Sequence, residues 1–277
     1  MDIVIQALVM GIVQGLTEFL PVSSSGHLVI VPALLGWDDA FITSLQFSVM
    51  LHIGTLVALL VYFREDWARL VPAGIATIRH RSLAGDPDRR LAWLVATATI
   101  PALVAGFVFN DLISDRFRQV GLVALMLVVG GAILWLAERN GRRDRPTERL
   151  TFPLALAIGG AQALALVPGI SRSGISIAAG LFAGLEREAA ARFAFLMAMP
   201  ITAAAGAYET LNLVRGESGV EVQLAPLVVG MVASFIAGFV AIAGLLRFLR
   251  TRPTDVFVVY RVILALVVVV TWLGIQR

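Results

Sequence analysis

Apolar residues run through this chain in long blocks, and most polar residues fall in short clusters between them. Six blocks, at 42–63, 91–109, 119–138, 188–213, 224–247 and 255–275, are long enough to cross a membrane as helices. About 20 residues at 1.5 Å rise cover a hydrocarbon core about 30 Å thick. Two further apolar regions, 3–35 and 153–185, are each interrupted by a cluster of Pro, Gly and Ser, which leaves halves too short to span. Non-helical backbone at membrane depth survives only where protein or a water-filled cavity covers it. Both regions are therefore read as re-entrant helical hairpins, with kinked spanning helices as the alternative. The pattern predicts an all-α, polytopic membrane protein: one membrane domain over residues 1–277, with six transmembrane helices and two re-entrant hairpins.

The interrupted regions resemble each other. GIVQGLTEFLPVSSSG (11–26) aligns with GGAQALALVPGISRSG (159–174) at a shift of 148 residues. Gly11 pairs with Gly159, Gln14 with Gln162, Leu16 with Leu164, Ser23 with Ser171, Ser25 with Ser173 and Gly26 with Gly174. Three spans follow each copy, and an odd number of crossings sets the copies in opposite orientations. The expected arrangement is an inverted repeat, 1–138 against 153–277. Repeats of this kind place a binding site near the midplane, where the helix breaks meet.

Composition supports the membrane reading. The chain is 58% hydrophobic and 15% charged, with a mean hydropathy of +0.87, against about 25% charged residues in a soluble domain. All 22 basic residues are Arg, and they concentrate in segments 64–90, 139–149 and 247–252. By the positive-inside rule these segments are cytoplasmic loops. The opposite loops, near 110–118 and 214–223, hold only Arg116, Arg118 and Arg215. The net charge of +3 is thus a topology signal, and nucleic acid is not an expected partner. Cys is absent, which excludes disulfides, thiol chemistry and Cys-ligated metal. The N-terminus lacks a basic region and a small-residue cleavage site, so its apolar start is read as part of the mature fold.

The helix breaks carry the candidate chemistry. The first holds Gln14, Glu18, Ser23, Ser24, Ser25, Gly26 and His27. Gln14 and Glu18 are four apart and share a helix face. The serine triplet with Gly26 makes a turn whose free N–H groups suit an anion. The second break supplies Ser171, Arg172, Ser173, Gly174 and Ser176. A central Arg costs roughly 2.5–3.5 kcal/mol to insert, and phosphate is a fitting partner because it accepts the guanidinium fork in bidentate fashion. An acid, a hydroxyl nucleophile, an imidazole and an Arg suit phosphoryl transfer. A structural Glu18–Arg172 ion pair, with serines that cap and pack, is the bland alternative. His52 and Gln46 are weaker candidates for the same cavity. Glu209 and Arg261 are read as lying near membrane ends, where long side chains snorkel. His80 is read as solvated in a basic loop.

QGLTEFLPVSSSGH (14–27) and PGISRSGIS (168–176) closely resemble the motifs of the undecaprenyl-diphosphate phosphatase, or bacitracin-resistance, family. The resemblance runs from end to end. It implies an inner-membrane enzyme whose active site opens to the periplasm. Such an enzyme hydrolyses the isoprenoid diphosphate to the monophosphate, recycling the lipid carrier for peptidoglycan and sustaining bacitracin resistance. It also implies a divalent cation, Mg or Ca. Glu18 matches the essential acid and is the candidate metal ligand, Ser24 the proposed nucleophile, His27 the motif histidine and Arg172 the phosphate-binding arginine. Gln14 stands where Glu is frequent, which removes one carboxylate. Whether Ser24 or His27 attacks is left open. Gln14, Ser23, Ser25, Gly26, Ser171, Ser173, Gly174 and Ser176 are the candidate substrate-binding residues. The expected partners are a polyprenyl diphosphate lipid and the bilayer, and a homodimer is left open. The rival function is a transporter or flippase of a lipid phosphate or anion.

Overall fold

The computed structural model describes the backbone of the chain except 84, 117–118, 216–220 and 276–277; the side chains of 109–116, 120, 209, 212–214 and 273–275 also lie outside the described residues, Glu209 among them. The described residues form helices and connecting turns, with no strand among them. Six helices are long and apolar enough to cross a membrane. They are α3 (Leu45–Tyr62), α5 (Pro87–Arg116), α6 (Val120–Asn140), α9 (Arg187–Val214), α10 (Leu224–Leu249) and α11 (Asp255–Ile275). Each falls on one of the expected blocks.

The interrupted regions form two pairs of short helices. The first pair is α1 (Ile3–Phe19) and α2 (Ser24–Leu35); the second is α7 (Phe152–Ala163) and α8 (Arg172–Phe182), joined by a 3-10 turn at Leu164–Leu166. None of the four reaches the 18 residues of the shortest span.

One loop expectation fails. Residues 64–80, read as loop, form a helix, α4 (Arg64–His80). Its ends match the helix dipole, with Glu65 and Asp66 in the first turn and Arg79 and His80 in the last. Leu70 and Thr77 are buried, while Val71, Ile75 and Ile78, spaced along one face, are exposed. The many arginines disguise an amphipathic helix as a loop.

Small residues let the short helices approach the spans closely. A Cβ at Gly11 would collide with the Gly230 carbonyl on α10, and one at Gly15 would stand 2.5 Å from the Ser234 carbonyl. Gly159 on α7 meets the Ala98 carbonyl of α5 in the same way. Membrane helices associate through such contacts because lipid offers no hydrophobic drive between them. Contacts exchange in pairs between the two halves of the chain: α1 packs on α10 as α7 packs on α5, and α3 on α10 as α9 on α5, while α3 meets α9 and α6 meets α11.

The Arg-rich segments gather at one end of the bundle. Arg192 binds both Asp66 carboxylate oxygens at 3.0 Å. Arg250 pairs with Glu188 and Arg139 with Asp255. Buried Glu138 accepts from Arg143, Arg187 and Thr254.

Candidate active site

The two helix breaks have the same local architecture. Ser23 and Ser171, 148 positions apart, both adopt positive φ, 76° and 74°, a conformation that strains any residue but Gly. Each caps the helix that follows: Ser23 Oγ accepts from the Gly26 N–H at 3.3 Å, and Ser171 Oγ from the Gly174 N–H at 3.1 Å. Each hydroxyl also meets the serine two places on, Ser25 at 3.3 Å and Ser173 at 3.2 Å. Ser173 Oγ then donates to the Leu20 carbonyl at 3.0 Å and ties the second break to the first.

Glu18 is the centre on which the polar groups converge. Its Oε1 pairs with the Arg172 guanidinium. Its Oε2 accepts from Ser24 Oγ at 2.5 Å and from Gln14 Nε2 at 3.1 Å, and lies 3.3 Å from His52 Nε2. His52 Nδ1 faces the Ser48 carbonyl at 2.7 Å. Both ring nitrogens thus face acceptors. The arrangement sets an acceptor for the hydroxyl proton and a cation able to meet an anion side by side.

These groups border a cavity of about 320 Å³. Its polar side is formed by Glu18, Ser24, Ser25, Ser48, His52, Ser171 and Arg172. Its apolar side includes Leu28, Leu45, Val49, Ala102, Leu166 and Ile201. On α9 the lining residues Ile201, Thr202 and Ala205 lie 14 or more residues past Arg187, roughly 20 Å along the helix from the Arg-rich end.

Of the expected site residues, Glu18, Ser24, Ser25, Ser171 and Arg172 meet at this cavity, and Gln14 reaches it through Glu18. Ser23 and Ser173 shape the breaks, as described above. Gly26 and Gly174 give the turns room: a Cβ at Gly26 would press on Val123, and one at Gly174 would lie 3.0 Å from Arg261 Nη1. Ser176 is buried and its hydroxyl has no partner. His27 turns away from the cavity. Its Nδ1 donates to the Ser23 carbonyl at 2.7 Å, its Nε2 shares a hydrogen bond with the Tyr260 hydroxyl at 2.7 Å, and its ring stacks on Tyr260.

Arg261 corrects the sequence reading. It is fully buried rather than at a membrane end. Its guanidinium donates to the carbonyls of Pro21 (3.3 Å) in the first break and of Gly169 (2.7 Å) and Ile170 (2.9 Å) in the second, as well as Leu127 (2.9 Å) on α6. Backbone freed by the breaks needs donors at this depth, and one side chain serves both. Gly130 makes room for it. The signal in the sequence was a charge in an otherwise apolar span, Val256 to Ile275.

A divalent ion such as Mg or Ca needs hard oxygen donors. Among the described residues no three His, Asp or Glu side chains cluster. Glu18 is the carboxylate of the cavity, and the Gln14 Oε1 beside it is buried without a partner. One carboxylate and one amide oxygen are hard donors that fit Mg or Ca when substrate phosphates complete the shell.

A hydroxyl and a guanidinium held on one carboxylate, at the polar side of a half-apolar cavity inside a multi-pass helical bundle, make a membrane-embedded site with the groups that phosphoryl transfer uses. Residues 7–267 match the family model described as bacitracin resistance protein BacA. The chain is 47% identical to the undecaprenyl-diphosphatase of Thermomicrobium roseum over 271 residues, 95% of each chain. It is 44% identical to that of Desulforudis audaxviator over 96% of each, and 45% identical to that of Gemmatimonas aurantiaca over 96% of this chain and 97% of the relative. The chain belongs to the bacitracin resistance protein family.

Proposed function

We propose that this chain hydrolyses undecaprenyl diphosphate to undecaprenyl phosphate and inorganic phosphate, with Ser24 as nucleophile. The observation that carries the reading is the 2.5 Å hydrogen bond from Ser24 Oγ to Glu18, beside Arg172. Glu18 takes the hydroxyl proton as Ser24 Oγ bonds to the terminal phosphorus, and the bridging P–O bond breaks. The prenyl monophosphate leaves. Water then attacks the phosphoserine phosphorus as Glu18 returns its proton to the departing Ser24 Oγ and takes one from the water, which frees inorganic phosphate and restores both side chains. Arg172 and His52 steady the charge on the transferred group. His27, bonded to Ser23 and Tyr260, positions the turn. Glu18 and the Gln14 amide oxygen would hold a divalent cation, Mg or Ca, which would supply further positive charge when bound.

The Arg-rich end faces the cytoplasm of the inner membrane; the cavity lies away from that end and opens to the periplasm. The prenyl tail leaves along the apolar wall into lipid. The broken helix pairs are re-entrant hairpins of an inverted repeat, supported by the matched serine caps and the exchanged helix contacts. The lipid is the partner. A transport-only reading gives the Ser24–Glu18 contact no task. The test is phosphate release from farnesyl or longer diphosphates by purified protein with Mg or Ca. Release is expected, and its absence from folded protein overturns the proposal.

A further inference from the structure

Gln162 lies in the last turn of α7 at the edge of the cavity, 2% exposed, and neither its Nε2 nor its Oε1 has a hydrogen-bond partner in the chain. Of the described buried polar side chains that lack partners, it alone lines the Glu18 cavity. Buried amides are nearly always paired, so an orphan at a cavity wall calls for a partner that the chain itself does not supply. Its counterpart in the other half of the chain, Gln14, spends its Nε2 on Glu18. Gln162 has no acid beside it: the position equivalent to Glu18 is Leu166. Its amide is therefore free for something that arrives.

Its location says what arrives. Ala102, Ala165 and Leu166, its neighbours on the wall, are apolar, whereas Ser24 and Arg172 form the polar side. If the terminal phosphate sits at Ser24 and the tail runs along the apolar wall, the lipid-linked phosphate lies at the seam between them. We propose that Gln162 hydrogen-bonds this lipid-linked phosphate, so that it binds both the diphosphate substrate and the prenyl monophosphate that departs. This rests on the hydrolase reading above. A neutral amide suits the task, because it donates to a phosphate oxygen without holding the anionic product as an ion pair does.

The test compares two competitors of farnesyl diphosphate hydrolysis, farnesyl phosphate and inorganic phosphate, in the wild-type chain and in Gln162→Leu and Gln162→Glu. Leu removes the amide at similar size; Glu keeps the shape and sets a carboxylate against the phosphate. In both variants the inhibition constant for farnesyl phosphate and the KM for the diphosphate are expected to rise about ten-fold or more, the size of one lost hydrogen bond, with Glu the larger. Inhibition by inorganic phosphate is expected to stay within two-fold, on the order of the scatter of such values. Unchanged farnesyl phosphate inhibition in either folded variant, or an equal loss for both competitors, overturns the assignment. Wild-type protein that releases no phosphate instead overturns the hydrolase reading itself.

Discussion

Glu18 and Arg172 stand 154 residues apart in the chain, on different helix breaks, and form an ion pair at the wall of one cavity. The pair is not closed on itself: Glu18 also accepts from Ser24 and Gln14, and the Arg172 side chain is 22% exposed. A guanidinium so placed can turn to a phosphate while the acid keeps other donors. Arg172→Lys keeps the charge and loses the planar fork. Turnover is expected to fall about 10²-fold, or about 2.7 kcal/mol of transition-state stabilisation, with little change in thermal stability in detergent. Near-normal turnover in Arg172→Lys, with Glu18→Gln restoring stability to Arg172→Ala, indicates a scaffold pair instead.

Arg261 is expected to matter for folding more than for binding. Arg261→Met strips donors from carbonyls of both breaks and is expected to destabilise the protein by roughly 2–4 kcal/mol. Thermal unfolding in detergent measures it. A melting temperature equal to wild type contradicts the stapling role.

The approach of α1 to α10 leaves no room for a side chain. Gly15→Leu places atoms against the Ser234 carbonyl and Ala237, and overpacking of this kind costs roughly 1–3 kcal/mol or more. Gly244→Ala, with open space at its Cβ, is the control and is expected to be neutral in the same melt.

The bundle end that carries the arginines is expected to face the cytoplasm. In a chain without native Cys, Asp38→Cys should react with an impermeant thiol reagent outside cells. Arg142→Cys, where the native side chain is 84% exposed, should not. The reverse pattern inverts the topology.

Much of this was legible in the sequence because membrane burial writes itself as hydropathy. All six spans and both helix breaks fall where the apolar blocks and the Pro–Gly–Ser clusters put them. The matched caps at Ser23 and Ser171 bear on the same residues that align in the sequence. What hydropathy does not carry is facing. Arg261 reads as a snorkelling residue because nothing local says that its side of α11 meets both breaks. His27 and Ser24 share a motif, yet the His27 ring turns to Tyr260, while His52, from a different helix, reaches Glu18. The α4 helix escaped because its arginines dominate a reading made for topology.

Attack of Ser24, deprotonated by Glu18, on the terminal phosphorus is checked by acid-quenching a single turnover with farnesyl diphosphate and mapping phosphate on the chain by mass spectrometry. Phosphoserine is expected at Ser24 in the wild type and none in Ser24→Ala, with turnover in that variant lower by about 10³-fold or more. Undiminished phosphate release from folded Ser24→Ala would contradict it.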